Sequence, residues 1–426
     1  MKKIIKVFSS IVIFIFALSV FGWMVFHVSK GDKDFGFFNG PIKSMYTFLD
    51  LFSQSVEEVK VKALPQTFIK TPENFQAVNK LDSNLIVLTT YSDTSNSRSI
   101  VLYNLKTDSI LYKWRIKNPH AEHDRILNPI LLPDKNIVYS FDGKSLMRID
   151  SLSNVVWKQD SIWSHHATNL DKNGDIWVCA FPIVYYATGL YKIEGRSVFY
   201  KDNYIAKIDA KTGRILFYKS ITKILAENNL ADYIIKSGHL WDPIHLNDVE
   251  PVDKTTPYYQ KGDVFISLRQ PSTILQYRPS TGKVVKVIEG PFVAQHDVDI
   301  YDDHSIVVFN NNNYSLLESG NRRSAPKDSV RLAIAGDFYS NIIRYDYRNN
   351  SFSCIGDSVF RANKIFTYSE GLVDFLNPTT YFVEEQNTGL LWIIKDDEII
   401  YKNILKSQHE GYHHLPNWTR IIKNYE

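Results

Sequence analysis

The chain has 426 residues, of which 44% are hydrophobic and 14% aromatic, and this composition excludes an intrinsically disordered protein. Its 49 Lys and Arg residues nearly balance 46 Asp and Glu residues, and no basic run is interleaved with aromatic residues. Because nucleic-acid-binding surfaces need such a basic footprint, nucleic acid is not expected as a partner.

The first predicted element is a transmembrane signal anchor within residues 1–30. Residues 7–28, VFSSIVIFIFALSVFGWMVFHV, contain no acidic residue, Lys or Arg, and a helix of this length crosses a hydrocarbon core of about 30 Å. Lys2, Lys3 and Lys6 precede this run, so the positive-inside rule predicts a cytosolic N terminus. The rest of the chain would lie in the periplasm or outside the cell. A cleaved signal peptide is the alternative, but the run is longer than a usual signal core and no A-x-A-like site follows it.

Residues 31–69 are predicted to form a short helical stalk or linker. The segment GPIKSMYTFLDLFSQSVEEVKVKALP spaces its apolar residues roughly as one helix face does. From about residue 70, turn signals recur between short apolar runs, which predicts an all-β domain over residues 70–426. The two cysteines, Cys179 and Cys354, allow at most one disulfide and are interpreted as small buried residues.

A repeated two-strand ribbon is the strongest pattern in this β-rich part. Its polar turns lie near Thr107, Ser153, Thr212, Thr281, Asn349 and Asp396. A second two-strand unit accompanies the ribbons, as in HHATNLDKNGDIWVCA and QHDVDIYDDHSIVVFNNN. About six repeats of four short strands are typical of a β-propeller. We therefore predict an all-β fold, a six-bladed β-propeller preceded by the transmembrane helix and the stalk, with five or seven blades as the alternatives.

The repeat alignment also predicts where polar groups converge. It places Phe75, His166 and His296 at equivalent positions, each shortly before a buried apolar run. In a propeller the first strand of each blade lines the central channel, so these residues are expected to point towards the axis, with Phe75 as filler. His165 is the alternative to His166, although the alignment favours His166.

Two further residues are expected in the same funnel. His245 lies in HLWDPIHLNDVEPV, just after a predicted helical insertion, SITKILAENNLADYIIKSGHL. Arg269 ends the apolar strand of KGDVFISLRQPSTILQY, where a buried guanidinium needs an anionic partner. Three imidazoles and one guanidinium from separate blades predict an oxyanion pocket.

Metal binding is the competing interpretation of clustered histidines. The chain contains no C-x-x-C motif, and HEGYHH, which contains His409, His413 and His414, lies beyond the last repeat. We interpret HEGYHH as a polar closing segment, with a metal site as the alternative. The loop DKNGD lacks the downstream Glu of a calcium loop and is interpreted as a β-turn. No metal or cofactor is expected.

Four segments together resemble the bacterial arylsulfotransferase family, the aryl-sulfate sulfotransferases that need no nucleotide donor. They are HHATNLDKNGDIWV, DPIHLNDVEPV, ISLRQPSTI and AQHDVDIYDDHSIVVFNNN, of which the last is the most specific. The resemblance covers roughly residues 70–426. It implies a periplasmic six-bladed propeller that transfers a sulfuryl group between phenols through a sulfohistidine.

The resemblance implies that His296 is the nucleophile, with Arg269, His245 and His166 holding the sulfuryl oxygens and assisting the leaving phenol. These residue types suit the chemistry, because fixed cationic donors stabilise charge that develops on sulfuryl oxygens. A neutral imidazole is a competent nucleophile, and a second imidazole can carry the phenol proton. Asp297 or Asp248 could fix a histidine tautomer, or each could be a turn residue.

Two functional hypotheses follow. The first is a membrane-anchored arylsulfotransferase with a small aryl sulfate donor and a phenolic acceptor as partners. The second is an exported, non-enzymatic propeller that binds an anionic or sulfated ligand in its polar funnel. The absence of G-x-x-x-x-G-K-[ST] disfavours a nucleotide donor, and the absence of Cys-x-Pro-x-Arg disfavours sulfatase chemistry.

Overall fold

The chain divides into two compact units, Met1–Leu64 and Pro65–Glu426. The computed structural model describes residues 2–30, 35–42, 45, 68–94, 97–120, 124–182, 187–193, 196–239, 241–313 and 339–423.

The first unit contains the apolar helix predicted at the N terminus. Helix α1 spans Lys2–Lys30, and its stretch Lys6–Val28 is long and apolar enough to cross a membrane. A signal sequence can also form an apolar helix near the N terminus, so this helix by itself does not give the topology. A 3-10 turn follows at Gly36–Phe38. The predicted helical stalk of residues 31–69 lies mostly outside the described residues.

The second unit is built of short strands, whose branched and aromatic residues favour extended backbone. The strands are β1 (Phe68–Lys70), β2 (Val78–Asn79), β3 (Ile86–Thr94), β4 (Ser97–Asn104), β5 (Ser109–Lys117), β6 (Ile126–Leu131), β7 (Ile137–Phe141), β8 (Lys144–Ile149), β9 (Val155–Leu170), β10 (Asp175–Pro182), β11 (Ala187–Ile193), β12 (Arg196–Tyr200), β13 (Tyr204–Asp209), β14 (Ile215–Ser220), β15 (Leu246–Pro251), β16 (Val264–Leu268), β17 (Thr273–Arg278), β18 (Lys283–Glu289), β19 (His296–Asp302), β20 (Ser305–Asn310), β21 (Asn341–Asp346), β22 (Ser351–Ile355), β23 (Leu372–Asn377), β24 (Thr380–Glu385), β25 (Leu390–Lys395), β26 (Glu398–Lys406), β27 (Tyr412–His414) and β28 (Arg420–Ile421).

Antiparallel pairing joins these strands into sheets. Within the described ranges, four-stranded sheets run in the orders β15-β16-β17-β18, β19-β20-β21-β22 and β28-β3-β4-β5. Strand β9 pairs with β8 through its first half and with β10 through its second, so β14-β13-β10-β9-β8-β7-β6 form one larger sheet. The strands β23 to β26 pair in order and are extended by β27, β1 and β2. Strands β11 and β12 form a separate pair. The all-β class is confirmed.

The hydrophobic core lies between neighbouring four-stranded groups. The described residues form six buried clusters, of which five join successive groups and one joins the first group to the last. In one of them, Phe265 and Ile274 pack with Val298 and Val308. The first strands of successive groups lie side by side, with β6 next to β9, β9 next to β15, β15 next to β19, and β19 next to β23. The closed six-bladed ring stays a prediction.

The C-terminal strand β28 corrects one detail of the repeat alignment. β28 pairs with β3, so the first strand of this sheet comes from the end of the chain. Phe75, expected at the equivalent position of His166, lies instead under the ammonium of Lys402 in β26, at 5.8 Å. The prediction for Phe75 is therefore wrong. Trp418, just before β28, stands nearer the predicted place, because its ring centroid is 5.4 Å from that of His166.

Two smaller features of the sequence have clear outcomes. The predicted helical insertion forms helices α2 (Ile221–Glu227) and α3 (Asp232–Lys236), and Ser220 caps α2 by accepting from the backbone N–H of Lys223. A further short helix, α4, spans Asp357–Asn363. Cys179 is buried and Cys354 is exposed, and both thiols are free. Burial was thus predicted correctly for Cys179 and wrongly for Cys354.

Replacing Glu384 with alanine is expected to lower the free energy of unfolding by about 2–4 kcal/mol. Glu384, on β24, is fully buried and accepts from the backbone N–H groups of Trp418 at 2.8 Å and Thr419 at 2.9 Å. Alanine leaves both donors without their acceptor, which loosens β28. Urea unfolding measures the loss, with exposed Glu398→Ala as the control. Equal stability of the two variants would show that Glu384 does not anchor β28.

Candidate functional site

The candidate histidines stand where the first strands are distorted. His166, His245 and Asp297, which follows His296, have positive φ angles of 52°, 48° and 51°. This left-handed conformation is unfavourable for residues other than glycine, and it is found most often at functional sites. The ladder between β9 and β10 is irregular beside His166, and the ladder between β19 and β20 is irregular beside His296. Such bulges redirect a side chain out of the regular alternation.

The structure brings three imidazoles together. The Nε2 atoms of His166 and His245 are 3.1 Å apart, and the ring centroids of His166 and His296 are 5.7 Å apart. His165 instead stacks on Phe181, with ring centroids 3.8 Å apart. Of the adjacent pair, His166 is therefore the one whose ring meets the other two histidines, as the repeat alignment favoured.

His296 is held in one orientation and one tautomer. Its Nδ1 lies 2.7 Å from Oδ1 of Asn311, whose Nδ2 donates to the carbonyls of Thr367 and Glu370. Because the amide is oriented by those two carbonyls, its oxygen faces His296, and Nδ1 must carry the proton. Nε2 then keeps its lone pair, which accepts from the backbone N–H of Glu370 at 3.2 Å.

Burial keeps this imidazole neutral. The side chain is 1% exposed, and burial together with the positive charge of Arg269 holds the pKa of His296 well below its ordinary value of 6.5. Burial likewise lowers the pKa of His166 well below that value. The ring of His296 therefore presents an unprotonated Nε2, which is the form required of a nucleophile.

The tautomer of His296 is not set by the carboxylates suggested from sequence. Asp297 accepts from the backbone N–H of Val373 at 2.7 Å, and Asp248 accepts from the N–H groups of Val249 and Val298. Asp297 and Asp248 thus hold the backbone and do not fix the His296 tautomer, so of the two interpretations given from the sequence, a tautomer-fixing carboxylate or a turn residue, the first does not apply to His296. Asn311 does so, and its only sequence signal is its place in the Asn-rich run after β20.

His245 has a carboxylate partner, Asp242, that was not predicted from the sequence. Its Nδ1 lies 2.7 Å from Oδ2 of Asp242, and Asn203 donates to the other carboxylate oxygen at 3.3 Å. Burial alone would raise the pKa of Asp242, but the hydrogen bond and charge of His245 bring it below its ordinary value. Asp242 is therefore ionised and holds a proton on Nδ1 of His245. The sequence signal for this pair was the spacing of three residues between Asp242 and His245 in DPIH.

The Arg269 guanidinium is a cationic donor without a protein partner. The side chain is half-buried, and no hydrogen bond or ion pair joins its guanidinium to the described residues. Its backbone N–H donates to the carbonyl of His245 at 3.1 Å, which fixes it beside the histidines. Burial lowers the pKa of Arg269 from its ordinary value, but a guanidinium stays charged near neutral pH. Such a donor next to neutral imidazoles is suited to an anionic ligand.

The segments considered for metal have other contacts. His414 stacks on Tyr91 with centroids 4.1 Å apart, and Nδ1 of His413 lies 2.9 Å from Oγ1 of Thr71. In the DKNGD turn, both aspartates are 2.9 Å from Nζ of Lys207. Within the described residues, no three His, Cys, Asp or Glu side chains are arranged to hold a metal ion.

Comparisons with known proteins give one family match. A family model described as arylsulfotransferase (ASST) matches residues 128–401, a range that contains all four candidate residues. No significant match is found among curated proteins.

Three solved structures show limited similarity to this chain. A protein of unknown function from Bacteroides caccae has 11% identity and a TM-score of 0.49, covering 78% of this chain and 97% of its own. Kuenenia stuttgartiensis hydrazine synthase has 10% identity and a TM-score of 0.40, covering 70% of this chain and 71% of its own. A chain of a nidogen/laminin complex has 8% identity and a TM-score of 0.41, covering 79% of this chain and 98% of its own.

Proposed function

The chain belongs to the arylsulfotransferase (ASST) family, and on this premise we propose that it transfers a sulfuryl group from an aryl sulfate to a phenol through a sulfohistidine on His296. The reaction is ping-pong and uses no nucleotide. One observation carries the proposal: Nε2 of His296 has a lone pair, while Nδ1 is tied to Asn311, beside two further imidazoles. Arg269 supplies a cation that has no partner among the described side chains.

In the first half-reaction, Nε2 of His296 attacks sulfur and forms an N–S bond. The bond between sulfur and the aryl oxygen breaks, and its electron pair leaves on the phenolate. A proton lies between the Nε2 atoms of His166 and His245, because two bare lone pairs would repel at 3.1 Å. His166 is neutral, so this proton makes His245 an imidazolium beside the Asp242 carboxylate, and its transfer to the phenolate leaves both imidazoles neutral.

The second half-reaction reverses these steps with a different phenol. The His166 and His245 pair, now one proton short, takes the hydroxyl proton of the acceptor. The acceptor oxygen attacks sulfur, the N–S bond breaks, and its electron pair returns to Nε2 of His296. The imidazole keeps its Nδ1 proton throughout because Asn311 accepts that hydrogen bond.

Two donors are placed for the sulfuryl oxygens. Arg269 can bind two oxygens at once through its planar guanidinium. The backbone N–H of Glu370, which donates to Nε2 of His296 in the free protein, loses that acceptor when Nε2 is sulfurylated. It is then available to a sulfuryl oxygen. Fixed donors of this kind stabilise the transition state, because they need no reorganisation as charge develops.

The proposal also includes the fold of the catalytic domain and the location of the protein at the membrane. We place the catalytic domain at residues 70–426 and its fold as a closed six-bladed propeller, supported by the buried cluster in which Val87 and Val101 pack with Phe382 and Leu391. That cluster joins the first and last groups of strands. Residues 1–30 would anchor the protein with a cytosolic N terminus and the propeller in the periplasm or outside the cell. N-terminal sequencing of the membrane fraction distinguishes this anchor from a cleaved signal sequence.

An assay with a chromogenic aryl sulfate tests the activity. The full-length protein in detergent is mixed with the donor, with and without a second phenol, and release of the coloured phenol is followed. Acceptor-dependent release, with the sulfated second phenol identified by mass, is the expected result. If folded protein releases nothing from several donors but binds sulfate or an aryl sulfate stoichiometrically, the second hypothesis, an anion-binding propeller, takes its place.

Asn311→Ala is expected to lower kcat by about tenfold to a hundredfold, because a misoriented His296 costs about 1.4–2.7 kcal/mol in the transition state. Asn313→Ala is the matched control. Asn313 is a buried amide of the same run, and its Nδ2 donates to the carbonyl of Tyr368. Steady-state kinetics with the chromogenic donor measures both variants, and equal losses would remove Asn311 from the mechanism.

The acid limb of kcat/KM is expected to lie below pH 6.5. Burial and the charge of Arg269 lower the pKa of His296, so its neutral, nucleophilic form persists as the pH falls through the range where a free imidazole is protonated. The monoanionic aryl sulfate does not titrate there. Profiles from about pH 4.5 to about pH 8 test this, and half-loss of kcat/KM at pH 6.5 or above would contradict it.

A further inference from the structure

A cavity is lined by residues that come after His245 and His296 in the chain, on strands β15 and β19. It has a volume of about 470 Å³, and its lining includes none of the four candidate catalytic side chains. Five carboxylates line it, from Asp248 and Glu250 on β15, Asp297 and Asp299 on β19, and Asp374 on β23. Only two cationic side chains, Arg420 and Lys423, are among its lining residues.

The two cations do not neutralise the cavity. The guanidinium of Arg420 donates to the carbonyl of Thr168 and to Oδ1 of Asn169, and it forms no ion pair with a described carboxylate. Lys423 pairs with Asp374, with Nζ 3.4 Å from Oδ1. Carboxylates therefore outnumber cations in this confined space, and burial together with neighbouring carboxylates raises the pKa of Glu250, Asp297 and Asp299, that of Asp299 to about 8. A bound cation would favour their ionised forms.

Two of the carboxylates have no partner in the described part of the chain. Glu250 and Asp299 accept no hydrogen bond and form no ion pair there, whereas Asp248 and Asp297 accept from backbone N–H groups. The side chains of Glu250 and Asp299 are thus unengaged by the protein and face the cavity. Unpaired carboxylates at partly buried positions are unfavourable unless a ligand compensates them.

A neutral oxygen points to the same kind of ligand. Asn128 is 4% exposed and lines the cavity, and its Oδ1 has no hydrogen-bond partner. A buried polar atom without a partner is rare in folded proteins and calls for an explanation. Carboxylate and amide oxygens are the donors that hard cations prefer.

We propose that this cavity binds a multivalent cation. No three of its carboxylates converge as direct ligands, and the cavity is far larger than a bare ion. The cation is therefore held through its water shell, as a hydrated divalent metal ion, or it is an extended organic polyamine. The metal ion and the polyamine both carry the multiple positive charge that the carboxylates of the cavity would bind. The proposal is independent of sulfuryl transfer, since none of the catalytic groups lines this cavity.

Thermal unfolding of the full-length protein in detergent tests the proposal with two probes, CaCl₂ and spermidine, each against NaCl at equal ionic strength. A saturable rise in Tm of a few degrees is expected for at least one probe. A rise with CaCl₂ alone identifies the metal ion, and a rise with spermidine alone identifies the polyamine. No rise beyond NaCl with either probe overturns the proposal.

The double variant Glu250→Gln with Asp299→Asn is expected to need at least tenfold more cation than the wild type to reach half of the Tm response. Without added cation it should be no less stable than the wild type, because the substitutions relieve repulsion. Glu73→Gln with Glu410→Gln removes the same charge from exposed positions and should respond as the wild type does. Terbium luminescence sensitised by Trp418, which lines the cavity, gives a second readout. A full response in the cavity variant refutes the site.

Discussion

His296→Ala is expected to lower kcat/KM for acceptor-dependent sulfuryl transfer by roughly 10⁴-fold or more. The substitution removes the imidazole whose Nδ1 proton is held by Asn311 and whose Nε2 keeps its lone pair, so the covalent route is lost. Release of the coloured phenol measures the loss. In the absence of acceptor, the wild type should accumulate an acid-labile sulfuryl group on the peptide that contains His296, and the variant should not.

His304→Ala is the matched control for this experiment. His304 belongs to the same motif, but it lies in the turn after β19, where its ring contacts Asp302 and Arg344. This variant should keep its activity and its labelled peptide. The nucleophile assignment fails if His296→Ala still transfers the sulfuryl group, or if the label is found on His166 or His245.

Arg269→Ala is expected to lower kcat/KM by about 10²- to 10³-fold, the usual loss for a donor that stabilises developing oxyanion charge. The guanidinium has no partner among the described residues, so its removal leaves no protein carboxylate unpaired, and the fold should persist. Arg269→Lys should recover only part of the loss, because an ammonium keeps the charge but does not bind two oxygens in one plane. Steady-state kinetics with the same donor measures both variants.

Sulfate inhibition separates binding from chemistry at this position. If Arg269 holds the sulfuryl oxygens, Arg269→Ala should weaken competitive inhibition by inorganic sulfate, whereas exposed Arg348→Ala should not. An anion-binding propeller without chemistry predicts a different pattern: sulfate binding that survives His296→Asn, is lost in Arg269→Ala, and never leads to turnover. Activity of Arg269→Ala within about tenfold of the wild type would refute the proposed role.

The sequence predicted the elements well because local patterns specify them. Short apolar runs between polar turns became antiparallel strands, and the apolar N-terminal run became α1. The helical insertion formed α2 and α3, since Ser220 and the following apolar residues carry a local helix signal. The alignment of repeats also placed His166 and His296 correctly relative to their strands, because a repeated unit repeats its geometry.

Predictions that depended on strand order were less successful. Phe75 was assigned to a first strand, but the chain closes that group with β28, more than 300 residues later. Nothing in the local pattern around Phe75 distinguishes an inner from an outer strand, because both alternate in the same way. Only the pairing of β28 with β3 decides which residues reach the predicted axis.

The sequence alone therefore determined the β-rich class, the apolar helix and the identity of the candidate groups, His166, His245, Arg269 and His296. Tertiary structure alone decided their partners. Asn311 reaches His296 because β19 and β20 pair His296 with Phe309, two residues before Asn311, and Asp242 reaches His245 across a bent loop. Hydrogen bonds of this kind depend on backbone angles and on contacts between distant segments, so they become visible only when the chain is folded.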